Sequence, residues 1–247
     1  MSWWRSSRIR RTARFCLCFF LACAMARSSV RAVGQEGSAP IVYQGQGDEP
    51  RIALTFDAGP HPEYTAQILD ILAEYGIHAT FFVIGENVDL YPDMLQRTVS
   101  EGHEIGNHTQ THPLKNLSRE QMEKELSDCE TTIGEWIDCR PRIFRPPGGI
   151  ISETVTAIAE DHRYRVILWS IDTRDWAHTP VGQITKTVLD NVGAGDIILM
   201  HDGIKCNSPT PQALRVLIPA LLERGYRFVT VSELLEEIQK ESSSGGA

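Results

Sequence analysis

Apolar residues are distributed along this chain in two alternating rhythms. Short apolar runs of strand length occur at Ile52–Phe56, Ala79–Ile84, Glu104–Gly106, Ile143–Phe144, Arg165–Ile171, Asp196–Met200 and Arg227–Val231. Between them, Tyr64–Tyr75, Pro92–Ser100, Ser118–Trp136, Ser152–Glu160, Val181–Asn191, Pro211–Arg224 and Ser232–Lys240 carry apolar residues at helical spacing. Ser118 and Ser232 stand at N-cap positions, and Gln121 three residues after Ser118 completes a capping-box pattern. Seven β-then-α units predict a parallel sheet joined by right-handed crossovers. The strands are apolar on consecutive positions, as expected when both faces of a sheet are covered. A closed or nearly closed barrel, ringed by helices, fits this pattern better than two separate sheets. In such barrels the chemistry collects where strands end and loops begin.

The first 26 residues follow a different pattern. Arg5, Arg8, Arg10, Arg11 and Arg14 precede an apolar run from Phe15 to Met25, and Ala24-Met25-Ala26 offers a small-x-small cleavage site. This order reads as a secretory signal peptide, with a retained membrane anchor as the alternative. The expected organisation is a leader at 1–26, a linker at 27–49, one catalytic domain at 50–240 and a disordered tail at 241–247. Loss of the leader removes five positive charges and no negative ones, so the formal charge of −8 becomes −13. That balance argues against nucleic-acid binding, which rests on neutralising phosphates. Cys129, Cys139 and Cys206 remain beyond the leader. A Cys129–Cys139 bridge is open to an exported chain, and the odd count leaves one thiol over.

Five polar clusters follow five of the strands. Asp57 in Thr55-Phe56-Asp57-Ala58-Gly59-Pro60 is placed to act as a general base, although Asp before Gly-Pro is also ordinary turn chemistry. His108 and His112, spaced i and i+4, can reach one divalent cation from one face of a helical turn; a solvated pair is the plainer alternative. In Arg145-Pro146-Pro147-Gly148-Gly149 the guanidinium can hold a carboxylate ionised, while the glycines allow close backbone approach to a ligand. Asp172-Thr173-Arg174-Asp175-Trp176 supplies an acid that can tether a histidine and a flat apolar wall. Leu199-Met200-His201-Asp202 places His201 as a candidate general acid.

Taken in order, these clusters resemble the five motifs of the NodB-homology polysaccharide deacetylases, carbohydrate esterase family four. Flanking text is similar too, in Ala79-Thr80-Phe81-Phe82, in Glu101 to His108 and in Gly225 to Val231. The resemblance covers about residues 50–238. It implies a distorted (β/α) barrel of about seven parallel strands, and metal-assisted removal of acetyl groups from a glycan. Asp57 then matches the base, His108 and His112 the metal ligands, Arg145 the residue orienting the base, Asp175 the acid orienting the histidine, and His201 the general acid. Trp176 and Leu199 match the walls of the acetyl pocket, with Pro147 and Gly148 as further substrate contacts. The implied metal is zinc, with cobalt or manganese as alternatives.

Two departures stand out. The family usually carries aspartate, a third metal ligand, where this chain has Ala58, and an aromatic residue is common where it has Gly148. The loss of the aspartate leaves a weaker site completed by water, a substitute ligand such as His61 or Asp172, or a domain that binds glycan without cleaving it. The expected activity is N-deacetylation of peptidoglycan or chitin-like sugars by a monomer acting outside the cytoplasm, at a membrane only if the leader is retained. An O-acetyl xylan esterase, a non-catalytic glycan-binding homologue and a metal-free amidohydrolase are the alternatives.

Overall fold

The computed structural model describes residues 40–115, 117–204 and 206–236. The expected leader and tail therefore lie outside the described residues. Nine strands form one parallel sheet: β1 (Ile41–Val42), β2 (Arg51–Gly59), β3 (Thr80–Val83), β4 (Glu104–Asn107), β5 (Ile143–Phe144), β6 (Arg165–Ile167), β7 (Ile171–Asp172), β8 (Ile197–His201) and β9 (Arg227–Phe228). Among the described residues, helices α1 (Tyr64–Tyr75), α2 (Gly85–Leu90), α3 (Pro92–Ser100), α4 (Arg119–Trp136), α5 (Glu153–Asp161), α6 (Val181–Asn191) and α7 (Thr210–Glu223) cover it. Residues 231–236 are helical as well, and the remainder of the helix expected at 232–240 lies outside the described residues.

The strand order is β1-β6-β5-β4-β3-β2-β8-β7, with β9 added beside the start of β2. The segment expected as one strand, Arg165–Ile171, is divided. Its first part, β6, pairs with β5, and its second part, β7, pairs with β8. One bent stretch thus joins the two flanks of the sheet and closes the barrel, which explains both the distortion and the excess over seven strands. The lead-in expected as a linker also differs. β1 pairs with β6, and Gln44 bridges to Asp196, so residues 41–44 are part of the sheet.

Alternation along β2 sorts the core into two layers. Ile52, Leu54 and Phe56 face outward and pack with Ile68, Leu69 and Leu72 of α1 and with Leu214, Leu217 and Leu221 of α7. Ala53 faces inward with Phe82, Ile143, Ile167 and Ile197. Thr55 and Asp57 continue that inner row, in register with Leu199 and His201 of β8. The interior is therefore apolar at the bottom and polar at the C-terminal mouth. Gly106 belongs to this packing, because a side chain there would land on the Phe82 ring.

Of the two expected N-caps, Ser118 holds and Ser232 does not: the last helix starts at residue 231, and Thr230 caps it, its Oγ1 accepting from the Glu233 N–H at 3.2 Å while Glu233 Oε2 accepts from the Thr230 N–H at 2.8 Å. The Ser118 side chain accepts from the Gln121 N–H at 3.2 Å, and Gln121 Oε1 accepts from the Ser118 N–H at 3.0 Å. α1 stops at Gly76, whose left-handed φ of 60° lets its N–H turn back to the last carbonyls. α2 was not legible, since six residues are too few to display a helical period.

Candidate active site

The mouth of the barrel gathers Asp57, His108, His112, Arg145, Asp175 and His201. Asp57 lies near the end of β2 and is almost fully buried. Arg145, fully buried just after β5, donates from Nη1 to Asp57 Oδ1 at 2.7 Å and to Thr55 Oγ1 at 2.8 Å. Its remaining donors go to the carbonyls of Ile167 at 3.1 Å and Leu168 at 2.9 Å. Those carbonyls lie where the closing stretch leaves β5 and has not yet joined β8. The guanidinium lies 4.1 Å from the Phe82 ring centroid. Burial alone would push the Asp57 carboxyl up, but Arg145, with His108 and His201, outweighs it and holds the pKa below the usual carboxylate value. Asp57 is therefore an ionised carboxylate held almost out of solvent.

His201, the strand neighbour of Asp57 across β2 and β8, is held from behind by Asp175. Asp175 Oδ1 lies 2.8 Å from His201 Nδ1, and Oδ2 accepts from the His201 N–H at 2.7 Å. Thr210 Oγ1 and the Trp176 N–H also donate to this fully buried carboxylate. Burial favours the neutral imidazole, yet the Asp175 contact outweighs it and raises the His201 pKa above 6.5. Since Nδ1 faces the carboxylate, Nε2 is the nitrogen free to hand over a proton.

The histidine pair has the opposite bias. His108 Nδ1 lies 2.7 Å from the Arg145 carbonyl oxygen. A carbonyl only accepts, so Nδ1 carries the hydrogen and Nε2 presents a lone pair. Burial pushes the His108 pKa down to about 4 and lowers that of His112. Both imidazoles are thus neutral, the state that binds metal. The His108 and His112 ring centroids are 4.9 Å apart. They share no helical turn, however. Thr109 and His112 have left-handed φ values of 72° and 57°, which breaks any helix. Asn107 Oδ1 accepts from the Thr109 N–H, and Thr109 Oγ1 accepts from the His112 N–H, so side chains pin the loop instead.

A cation is chemically suited to this pair. The His108 Nε2 lone pair faces Asp57 Oδ2 at 3.7 Å, an acceptor opposite an acceptor with no hydrogen to share. The ligand set contributed by the chain stops short, because no group of three His, Cys, Asp or Glu side chains among the described residues could hold a metal ion. Neither expected substitute ligand fills the gap. His61 Nδ1 lies 3.2 Å from the Glu63 N–H and 3.3 Å from the Tyr64 N–H, its donors at the start of α1. Asp172 Oδ1 accepts from the Arg174 N–H at 2.8 Å. Ala58 itself has a φ of 69°, a region where Asp and Asn are far more at home than Ala. The backbone there is shaped for the residue that is missing.

A cavity of about 300 Å³ opens beside His201, lined by Ala58, Trp176, His178, Gly203, Ile204 and Cys206. Trp176 is half exposed and stands at its rim. Leu199 is 3% exposed, one inner layer beneath His201, so it forms a floor rather than an open wall. Gly148 is exposed, with a φ of 62°, and Pro147 is buried beneath it. Cys129 is buried, and Cys129, Cys139 and Cys206 are all free thiols, so the bridge between the first two is absent.

Asp202 was overlooked by the sequence reading. Buried beside the base, it accepts from Thr65 Oγ1 at 2.6 Å, while its Oδ1 has no partner. Its backbone N–H and that of Gly203 both donate to the Asp57 carbonyl, at 3.2 and 3.3 Å. Its position directly after His201 was the only available signal.

An ionised carboxylate, a histidine tethered by a second carboxylate and two neutral imidazoles meet at the mouth of a distorted barrel, an arrangement suited to hydrolysis. The polysaccharide deacetylase model matches residues 44–167. A peptidoglycan-N-acetylglucosamine deacetylase of Bacillus cereus is 44% identical, over 79% of this chain and 92% of that protein. Among solved structures, a peptidoglycan N-acetylglucosamine deacetylase superposes with a TM-score of 0.75 at 33% identity, covering 79% of this chain and 92% of that one. A CE4 family pseudoenzyme from Bacillus anthracis gives 0.74 at 31% identity, covering 80% and 69%. The chain belongs to the polysaccharide deacetylase family.

Proposed function

We propose that the protein hydrolyses N-acetyl groups of a cell-wall or chitin-type glycan, releasing acetate. The observation that carries this reading is the pairing of an ionised Asp57 with a protonated His201 on adjacent strands, each fixed by its own buried partner. Two titrating groups pushed in opposite directions are what an acid and a base acting on one bond require.

A divalent cation at His108 and His112, zinc in the first instance, would supply Lewis-acid polarisation of a water and of the acetyl carbonyl. Asp57 takes a proton from the attacking water as the water oxygen bonds to the acetyl carbon. Arg145 keeps the base ionised and aimed. The Gly148 backbone N–H, in the turn after Arg145, serves the oxyanion. His201 gives its Nε2 proton to the amide nitrogen as the carbon–nitrogen bond breaks, so that the sugar leaves as a neutral amine rather than an anion. Asp175 holds the imidazole throughout. Trp176, Pro147 and Leu199 shape the acetyl pocket. Peptidoglycan or N-acetylglucosamine oligomers, met outside the cytoplasm, are the substrates that fit the family and the relatives. Acetate assayed from such glycans with zinc, cobalt or manganese tests the reading, and Asp57→Asn should abolish release. Silence of the native protein with all three metals would refute it.

One observation favours a second reading, that of a glycan-binding relative without turnover. Ala58 removes a carboxylate, and the related Bacillus anthracis pseudoenzyme has a mutant with restored enzymatic activity. Metal content and acetate release, measured for the native chain and for Ala58→Asp, separate the two. The backbone at 58 already accommodates aspartate, so the variant should fold normally and hold more metal. Turnover in the native chain sustains the first reading, whereas turnover only in the variant sustains the second.

A further inference from the structure

The reacting centre has an apolar wall on one side only, if motif residues alone are counted. Trp176 and Ile204 line the cavity on the His201 side. On the histidine-pair side, the turn after Arg145 offers Gly148, which has no side chain, and its φ of 62° disfavours one. That space is nevertheless filled. A Cβ built on Gly148 would stand 3.2 Å from Leu114 Cδ2, so the Leu114 side chain extends over the Gly148 α-carbon. Leu114 is two residues beyond His112 and 66% exposed. A single exposed leucine needs no explanation in general. Its place is the point: of the large hydrophobic residues exposed among the described ones, only Leu114 and Trp176 lie on loops that carry site residues.

We propose that Leu114 is a specificity-determining residue, the second wall of the glycan groove, packing against the sugar ring next to the one being deacetylated. The inference rests on the glycan reading above. Pyranose rings present a face of C–H groups, which an aliphatic side chain can cover without any directional contact. Because Leu114 belongs to the loop after β4 rather than to the turn after β5, the wall stands over the Gly148 backbone.

The test uses the full chain with an N-acetylglucosamine tetramer and the single sugar as probes. Covering about 40 Å² of apolar surface corresponds to roughly a fivefold change in affinity. Leu114→Ala and the equally long but polar Leu114→Gln should raise KM for the tetramer about fivefold and leave kcat within about twofold. Leu114→Met should stay near the native value, and the single sugar should not distinguish any of them. Unchanged KM in Ala and Gln overturns the proposal. So does a fall in kcat at constant KM, which would mean that Leu114 acts through His112. If no form releases acetate, the deacetylase reading has failed while the wall remains testable: calorimetric binding of the tetramer should still weaken about fivefold in Ala and Gln. Equal binding, or none by the native chain, overturns the wall as well.

Discussion

At the scale of single residues, the site works by giving chemically similar groups different environments. Three histidines share the mouth of the barrel, and only His201 has a carboxylate behind it. Its pKa is raised, so its proton is fully in place below 6.5 and is lost as pH rises through the higher folded value. The expected pH profile of kcat/KM therefore has an alkaline limb above 6.5 that belongs to His201. In Asp175→Asn the main support of the charged imidazole is lost and only the weaker attraction of Asp57 opposes burial, so that limb should move toward acid while the rate falls about 10²-fold or more; a limb that stays put would take the acid role away from His201. Arg145→Ala should cost about 3–5 kcal/mol, since it leaves a buried carboxylate without its counter-charge, and denaturant unfolding measures this. Asp202 behaves in the reverse sense. Burial, helped by the Asp57 charge and only partly offset by the Thr65 hydroxyl, its own backbone N–H and His201, raises its carboxyl to about 7 from 3.8. The unfolded chain releases this proton near pH 4 and the folded chain near 7, so stability falls across that window and is level above it. Asp202→Asn should remove this slope, on the order of 4 kcal/mol between pH 4 and 8. An unchanged slope would show that the carboxyl is ionised in the fold.

At the scale of elements, strands place the chemistry and the loops after them aim it. Ala58, at the bulge near the end of β2, and Thr109, His112, Arg174 and His178, after the strands, all have left-handed φ values and border the site. Such conformations cost about 1–2 kcal/mol each for ordinary residues and persist because the surroundings hold them. The turn after β8 shows how tightly. A side chain at Gly203 would land on the Ala58 carbonyl, and one at Gly59 would land on the Asp202 carboxylate. Gly203→Ala should therefore displace the turn that carries Asp57 and reduce kcat sharply, with a smaller loss of melting temperature; normal activity would mean that the two loops are free to separate. The strand-and-loop grammar was legible in the sequence, because motif residues announce themselves by type and by their place after apolar runs. The loop conformations were not. The histidine spacing suggested a helical turn, and only the Asn107 and Thr109 side-chain bonds explain how a non-helical loop brings the rings together. Asp202 escaped because a buried carboxyl looks like any other aspartate until its surroundings are known.

At the scale of the whole molecule, the barrel is closed by its least regular part, and that part depends on both ends of the described chain order. The stretch from β6 to β7 spans from β5 to β8, and its middle has no complete strand neighbour. Three devices hold it. Arg145 takes the Ile167 and Leu168 carbonyls, Ser170 Oγ donates to Asp196 at 2.7 Å, and β1 supplies the Pro40 and Val42 carbonyls to the Val166 and Leu168 N–H groups. The Gly45 N–H adds a bond to the Gly195 carbonyl at 2.8 Å. Alternation and apolar content could not reveal β1, since two residues in a Gly- and Pro-containing lead-in carry no period. A chain beginning at residue 50, the boundary suggested by composition, would lose about four hydrogen bonds at about 1 kcal/mol each. Its melting temperature should fall by roughly 10 °C relative to a chain beginning at 40. Activity should fall further than stability, because the Leu168 carbonyl that β1 helps to fix is also one of the anchors of Arg145, and Arg145 holds the base. Thermal unfolding and acetate release on the two chains decide the matter: equal melting would confine β1 to decoration, and parallel losses in both would break the link between closure and catalysis.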